Sequence, residues 1–232
     1  MTGTEVLGSH PIVRQNVLMR SVYNWMMIGL LISGITAFAV GHNQVLESLI
    51  FGNGYMIWVL FAIELGLVIA ISAAITKMSL STGRFLFLLF SFVDGLTLGS
   101  IFLIYTEASI AWVFFIASMT FGVMSIYGYF TESDLTSWGK FLFMGLIGII
   151  IAMVVNFFLK SPGLEWVLSV IGVIIFVGLT AYDTQKIKDL GEQEAAQGGV
   201  DIGKTAIIGA LALYLDLINL FLMFLNLFGD RR

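Results

Sequence analysis

The chain has 232 residues and no cysteine. That excludes disulfides, thiolate metal sites and lipidated cysteines. Histidine occurs twice, as His10 and His42, too far apart to suggest a site, and both read as loop residues. There is no HExxH, so a zinc protease has no basis. Proline is limited to Pro11 and Pro162. Charge is scarce: 11% of residues are Asp, Glu, Lys or Arg, against about 25% in a soluble domain. Such a chain has too little polar surface to cover a water-facing domain. No basic run interleaved with aromatics occurs, which leaves nucleic-acid binding without support.

What remains is apolar. Hydrophobic residues make up 59% of the sequence, arranged in long continuous runs. A helix needs about 20 apolar residues to cross a bilayer. Seven stretches qualify: 21–41, 55–76, 84–105, 110–130, 140–159, 164–184 and 205–228. Continuous rather than alternating runs exclude a transmembrane barrel. The expectation is an all-α, multi-pass integral membrane protein. It has an N-terminal tail over 1–20, a seven-helix domain over 21–228 and a C-terminal tail over 229–232. The first span follows Arg14 and Arg20 and ends near "AFA" (Ala37 to Ala39), as a signal peptide does. Its length and the six spans after it make it a retained helix. Connections are short except Gln185–Lys204, which reads as a polar loop ending in "QGGVDIGK".

Lysine and arginine in short loops set orientation. With the N-terminus inside, the inner segments hold Arg14, Arg20, Lys77, Arg84, Lys140, Lys186, Lys188 and Lys204. The outer segments hold Lys160, Arg231 and Arg232. The N-terminus is therefore expected in the cytoplasm, with Gln185–Lys204 on the same side. Loop brevity and the lack of targeting signals point to a bacterial plasma membrane.

Against this background four carboxylates stand out within spans: Glu64, Asp94, Asp183 and Asp216. Glu107 lies at a span end and reaches the interface. Each acid near a helix centre costs on the order of 3 kcal/mol by insertion scales. No lysine or arginine lies deep in a span, so the acids must share protons, hold a mobile cation or line a wet cavity. All three concern ions. In span seven, Asp216, Asn219 and Asn226 share one face with Gly209, Ala212 and Met223. A polar stripe on a spanning helix faces protein or water, so this helix is expected to be surrounded by others. Asp183 ends span six with Thr180 one turn earlier. A one-turn shift would bring Asp183 and Asp216 together, and paired carboxylates resist double ionisation. The protonated pair closes on an internal hydrogen bond; the deprotonated pair separates or recruits a cation. The plainer alternative is that such acids fix packing by hydrogen bonds between helices, as Asn156, Asn219 and Asn226 do. "GLTLG" (Gly95 to Gly99) is a small-xxx-small pattern too common to carry weight.

"GLTAYDTQKIK" (Gly178 to Lys188) and "LALYLDLINLFLMFLNLFG" (Leu211 to Gly229) resemble the transmembrane Bax-inhibitor motif family. The resemblance covers the chain in length, span count and loop sizes. It implies two three-helix layers around a central last helix, and a passive, pH-sensitive calcium leak. Asp183 and Asp216 take the places of the family's paired-carboxylate sensor, with possible contact to the passing calcium. Bacterial relatives are tied to control of a membrane protease. The latch arginine that some members carry at the cytoplasmic end of span two falls on Ile75–Thr76 in "AAITKMSLSTGR", which leaves Lys77 and Arg84 as candidate latch bases. Lysine lacks the two-pronged carboxylate contact of arginine. Glu64, Asp94 and Asn219 are candidates for the cation path, with Asp94 an addition to the usual pattern.

Three other readings compete with the leak. One is a regulatory protein that binds a membrane protease or other membrane partner through its cytoplasmic tail and loop. Another is an intramembrane aspartyl protease, opposed by LYLD in place of GxGD and by the missing Pro-Ala-Leu motif. A third is proton-coupled transport, for which the sequence offers neither broken helices nor a repeat. The chain is expected to be no enzyme and to need no cofactor. Its expected partners are membrane lipids, calcium as the carried ion and a membrane protein.

Overall fold

A computed structural model describes residues 11–197 and 201–232; His10, the tail before it and the Gly198–Val200 part of the polar loop lie outside the described residues. Among those described, nine helices and no strands occur: α1 Pro11–Gly41, α2 Gln44–Phe51, α3 Met56–Ala74, α4 Leu80–Leu98, α5 Ile101–Ile104, α6 Glu107–Phe130, α7 Thr136–Leu159, α8 Pro162–Gln197 and α9 Ile202–Phe228. Seven segments are long and apolar enough to cross a membrane, with α4 and α5 counted as one. The all-α, seven-span class expected from the sequence is what the chain adopts.

Local chemistry explains where the helices begin. Both prolines occupy first helical positions, where the missing N–H costs nothing. Asn43 Oδ1 accepts from Val45 N and Leu46 N at 3.0 and 3.2 Å, Ser79 Oγ from Thr82 N at 3.1 Å, and Thr106 Oγ1 from Ser109 N at 3.3 Å. Asp201 Oδ1 accepts from Gly203 N at 3.0 Å, opening α9. Each satisfies a helix-start donor that has no partner within the helix. At the far end of α7, Lys160 turns the chain in the left-handed region (φ 50). Asn156 Oδ1 accepts there from Ser161 N at 3.1 Å, so Asn156 closes its own helix end instead of bridging helices.

Two compact units divide the chain. Of the described residues, the first comprises those through Tyr105, those within Asp189–Tyr214 and Arg232; the second comprises Thr106–Lys188 and Leu215–Arg231. In the first, α4 packs on α1 and α3. "GLTLG" forms part of that packing. A Cβ on Gly95 would lie 2.7 Å from Ser33 O, and one on Gly99 2.5 Å from Val40 Cγ1, so only glycine lets α1 approach this closely. Just after it, span three breaks. Ser100 N, Phe102 N and Leu103 N each donate three residues back, to Thr97, Gly99 and Ser100, the tighter 3₁₀ pattern. The uninterrupted helix expected over 84–105 is therefore two pieces.

In the second unit, Phe114 meets Phe221 edge-on at 5.4 Å. The last four residues do not hang free. Thr106 N donates to Asp230 O at 3.0 Å and Asp230 N to Ser109 Oγ at 2.9 Å. Arg231 reaches Glu165 at 3.3 Å and Asn226 Oδ1 at 3.1 Å. Helix α9 is the most enclosed of the seven spans, with 67% of its apolar window buried against 11% for α3 and for α7. On its striped face Gly209 and Asp216 are buried, whereas Ala212, Asn219, Met223 and Asn226 are half-buried. Helix α8 continues to Gln197, well past residue 184, where a loop is expected from the sequence.

Candidate functional site

Asp216 sits in the middle of α9, 4% exposed, within the second unit. Its Oδ2 is the one buried side-chain oxygen or nitrogen among the described residues that has no hydrogen-bond partner. Orphaned buried polar atoms are rare because each forfeits its hydration without return. The charged group acting on Asp216 is Asp183, on α8 of the same unit. The two aspartates singled out from the sequence thus lie within electrostatic reach of each other.

The α8 segment around Asp183 is anchored residue by residue. A Cβ on Gly128 of α6 would fall 2.2 Å from Ala181 O, and one on Gly139 of α7 2.3 Å from the Tyr182 ring. Thr184 and Ser125 share a buried hydroxyl–hydroxyl bond of 2.9 Å. Gln185 Nε2 donates to Ser133 O at 2.8 Å, and Gln185 Oε1 accepts from Leu135 N at 2.9 Å. Thr180, expected beside Asp183, is fully buried and donates to Phe176 O of its own helix at 2.8 Å.

A second buried polar group lies in the first unit. Tyr214 is fully buried and its hydroxyl donates to Asp94 Oδ2 at 2.5 Å. The rings of Phe87 and Phe90 meet the Tyr214 ring edge-on at 6.3 and 5.4 Å. Thr97 donates to Glu64 Oε1, and the Glu64 charge acts on Asp94. Both acids are hydrogen-bonded between helices, the packing arrangement weighed in the sequence reading. Tyr214 and Thr97 were not singled out from the sequence. The signal for Tyr214 was at hand, since it is the tyrosine of LYLD.

The candidate bases take other places. Arg84 lies over the Trp25 ring at 5.4 Å, and Lys77 is exposed. At Thr76, where the latch arginine is expected, Lys204 Nζ donates to the carbonyl at 3.2 Å. The base whose charge acts on Asp183 is Lys186, one turn along α8, with Nζ 5.7 Å from the Tyr182 ring. Asn219 Nδ2 donates to Leu215 O of its own helix at 2.8 Å. Asn226 Nδ2 reaches Ser169 Oγ of α8 at 2.7 Å, the interhelical bond expected of it. His42 Nδ1 lies 2.9 Å from Phe38 O and its ring stacks on Phe38 at 4.0 Å.

Among the described residues no three His, Asp or Glu side chains converge as a metal position. Calcium takes six to eight oxygen ligands when held firmly.

The family model described as "Inhibitor of apoptosis-promoting Bax1" matches residues 14–232. The chain is 50% identical over 214 residues to the inner membrane protein YbhL of Escherichia coli K12, covering 92% of each chain. It is 46% identical over 222 residues to an uncharacterized protein of Borreliella burgdorferi, covering 95% of each. It is 43% identical over 218 residues to one from Rickettsia prowazekii, covering 92% of this chain and 89% of the other. With seven membrane-crossing helices and a family match along nearly its whole length, the chain is a multi-pass integral membrane protein and belongs to the Bax inhibitor-like family.

Proposed function

We propose that the protein is a passive, pH-sensitive cation leak of a bacterial inner membrane, with calcium as the carried ion and the Asp183–Asp216 pair as its gate. The observation that carries this reading is the buried Oδ2 of Asp216, without a hydrogen-bond partner and within electrostatic reach of a second carboxylate, Asp183. Two carboxylates in a low-dielectric interior do not both stay charged. With one shared proton the pair closes. Without it, mutual repulsion separates the carboxylates or draws in a cation, whose oxygen-ligand preference they match. Flux then rises as pH rises. Asp94 and Glu64, both hydrogen-bonded, support the first unit and are candidates for polar steps on the path. The cytoplasmic N-terminus expected from the lysine and arginine distribution puts the Asp183 end of α8 toward the cytoplasm.

The test is calcium uptake into liposomes carrying the purified protein, measured from about pH 6 to 8. Wild-type flux falls toward the acid end. D183N and D216N, which hold one member of the pair permanently neutral, flatten the profile. Flux with the wild-type pH response in both variants would remove the gate.

A further inference from the structure

Gln185 is a long amide side chain, 8% exposed, on a helix leaving the membrane. A buried amide has to satisfy both a donor and an acceptor group. Gln185 meets this by spanning the α6–α7 connection, giving a proton to Ser133 O at 2.8 Å and taking one from Leu135 N at 2.9 Å. Both partners are backbone groups, so the contact fixes the chain path itself. The same connection is stiffened from the α7 side, where Asp134 Oδ1 accepts from Thr136 N at 2.8 Å. Hydrogen bonding from Thr136, its side chain first and its backbone N–H second, holds the exposed Asp134 carboxyl below its usual range.

Together with the Ser125–Thr184 bond and the glycine contacts at Ala181 and Tyr182, this fixes residues 181, 182, 184 and 185 of α8 against α6, α7 and their connection. Asp183 lies between them in sequence. The charged groups acting on it are Asp216 of α9 and Lys186 of α8. The α6 and α7 residues that grip this segment, Ser125, Gly128 and Gly139, are not titratable. Lys188, further along, is 5.7 Å from the Tyr129 ring. The α8 side of the pair is thus built as a fixed mount.

We propose that Gln185 is a positioning residue for the gate: its two backbone hydrogen bonds lock α8 to the α6–α7 connection and hold Asp183 in register with Asp216. This rests on the reading of the two aspartates as one titrating pair. Two carboxylates share a proton only while their separation is held, so releasing the mount changes how the pair titrates without touching either acid.

The experiment is an infrared titration of the full-length protein in liposomes, following the protonated-carboxyl band assigned with D183N and D216N. Q185M is close in shape but makes neither hydrogen bond. It is expected to move the midpoint of that band by at least about half a pH unit and to speed hydrogen exchange at the Leu135 amide roughly tenfold or more. Q185N keeps an amide but is one methylene too short to bridge. It gives the same shift, and serves where Q185M lowers yield. N226L breaks a bond of like kind at the other end of α8. It lowers thermal stability and leaves the midpoint in place, which a purely structural role for Gln185 would also predict of Q185M. A Q185M midpoint within about 0.2 pH units of wild type, with Leu135 exchange accelerated, overturns the proposal. Lack of pH-dependent calcium flux would sink the leak reading alone, because the band midpoint still decides Gln185. A wild type with no titrating band from Asp183 or Asp216 overturns both.

Discussion

Asp216 and Asp94 are both aspartates buried among spanning helices, and their surroundings differ. Asp94 has a tyrosine hydroxyl at 2.5 Å, whereas one oxygen of Asp216 has nothing to bond to. The first is a satisfied structural group and the second is a group kept in an unfavourable place. Y214F tests the structural half of that contrast. Removing a hydroxyl that partners a buried acid costs about 1–3 kcal/mol, seen as a lower midpoint of thermal unfolding in detergent. The cost is mostly shared with D94N, so the double variant loses less than the sum of the two. The acids were readable in the sequence because charge in a membrane span is conspicuous. The groups around them are harder to find: Tyr214 stands out only through LYLD, while Thr97, which bonds Glu64, and Gln185, which bonds the α6–α7 connection, are residue types common in helices and gain a role only where distant segments meet. The same holds for the bases. Sequence position pointed to Lys77 and Arg84. Arg84 lies over Trp25, Lys204 reaches Thr76, and Lys186 acts on Asp183.

The helices were easier to read than their ends. The bilayer demands long apolar runs with every backbone group bonded internally, and hydropathy finds those runs. It is silent once a helix leaves the lipid. Thus α8 runs on through Gln185–Gln197 on helix-forming Lys, Leu, Glu, Gln and Ala, although polarity reads as a loop. The break at Gly99 is hidden for the opposite reason, since Ile101–Ile104 continue the apolar run. Glycine pairs likewise look generic until a partner helix is known. Gly95 and Gly99 seat α1, and Gly128 seats α8. G128A places a methyl 2.2 Å from the Ala181 carbonyl oxygen, a backbone atom with little freedom to yield. It should cost about 1–3 kcal/mol or more. Size-exclusion profiles and melting in detergent check this, with G122A as the neutral partner, since nothing lies within 4 Å of a Cβ there.

The molecule as a whole is an integral membrane protein of the Bax inhibitor-like family. One of its bacterial relatives is the inner membrane protein YbhL of Escherichia coli. Its orientation is open to direct measurement because cysteine is absent. Single cysteines can be introduced without background. S133C, in the α6–α7 connection, is expected to resist a membrane-impermeant maleimide in intact cells until the membrane is opened. K160C, in the α7–α8 connection, is expected to react at once. The reverse pattern would invert the topology and with it the side from which the pair meets protons.

The pairing of Asp183 with Asp216 is best tested by a double-mutant cycle on the pH profile of calcium flux in liposomes. If the two carboxylates share one proton, D183N, D216N and the double variant all lose the pH response to the same extent, because any one neutral member ends the sharing. Effects that add, or a double variant whose flux still follows pH as the wild type does, would show two independent aspartates and contradict the gate.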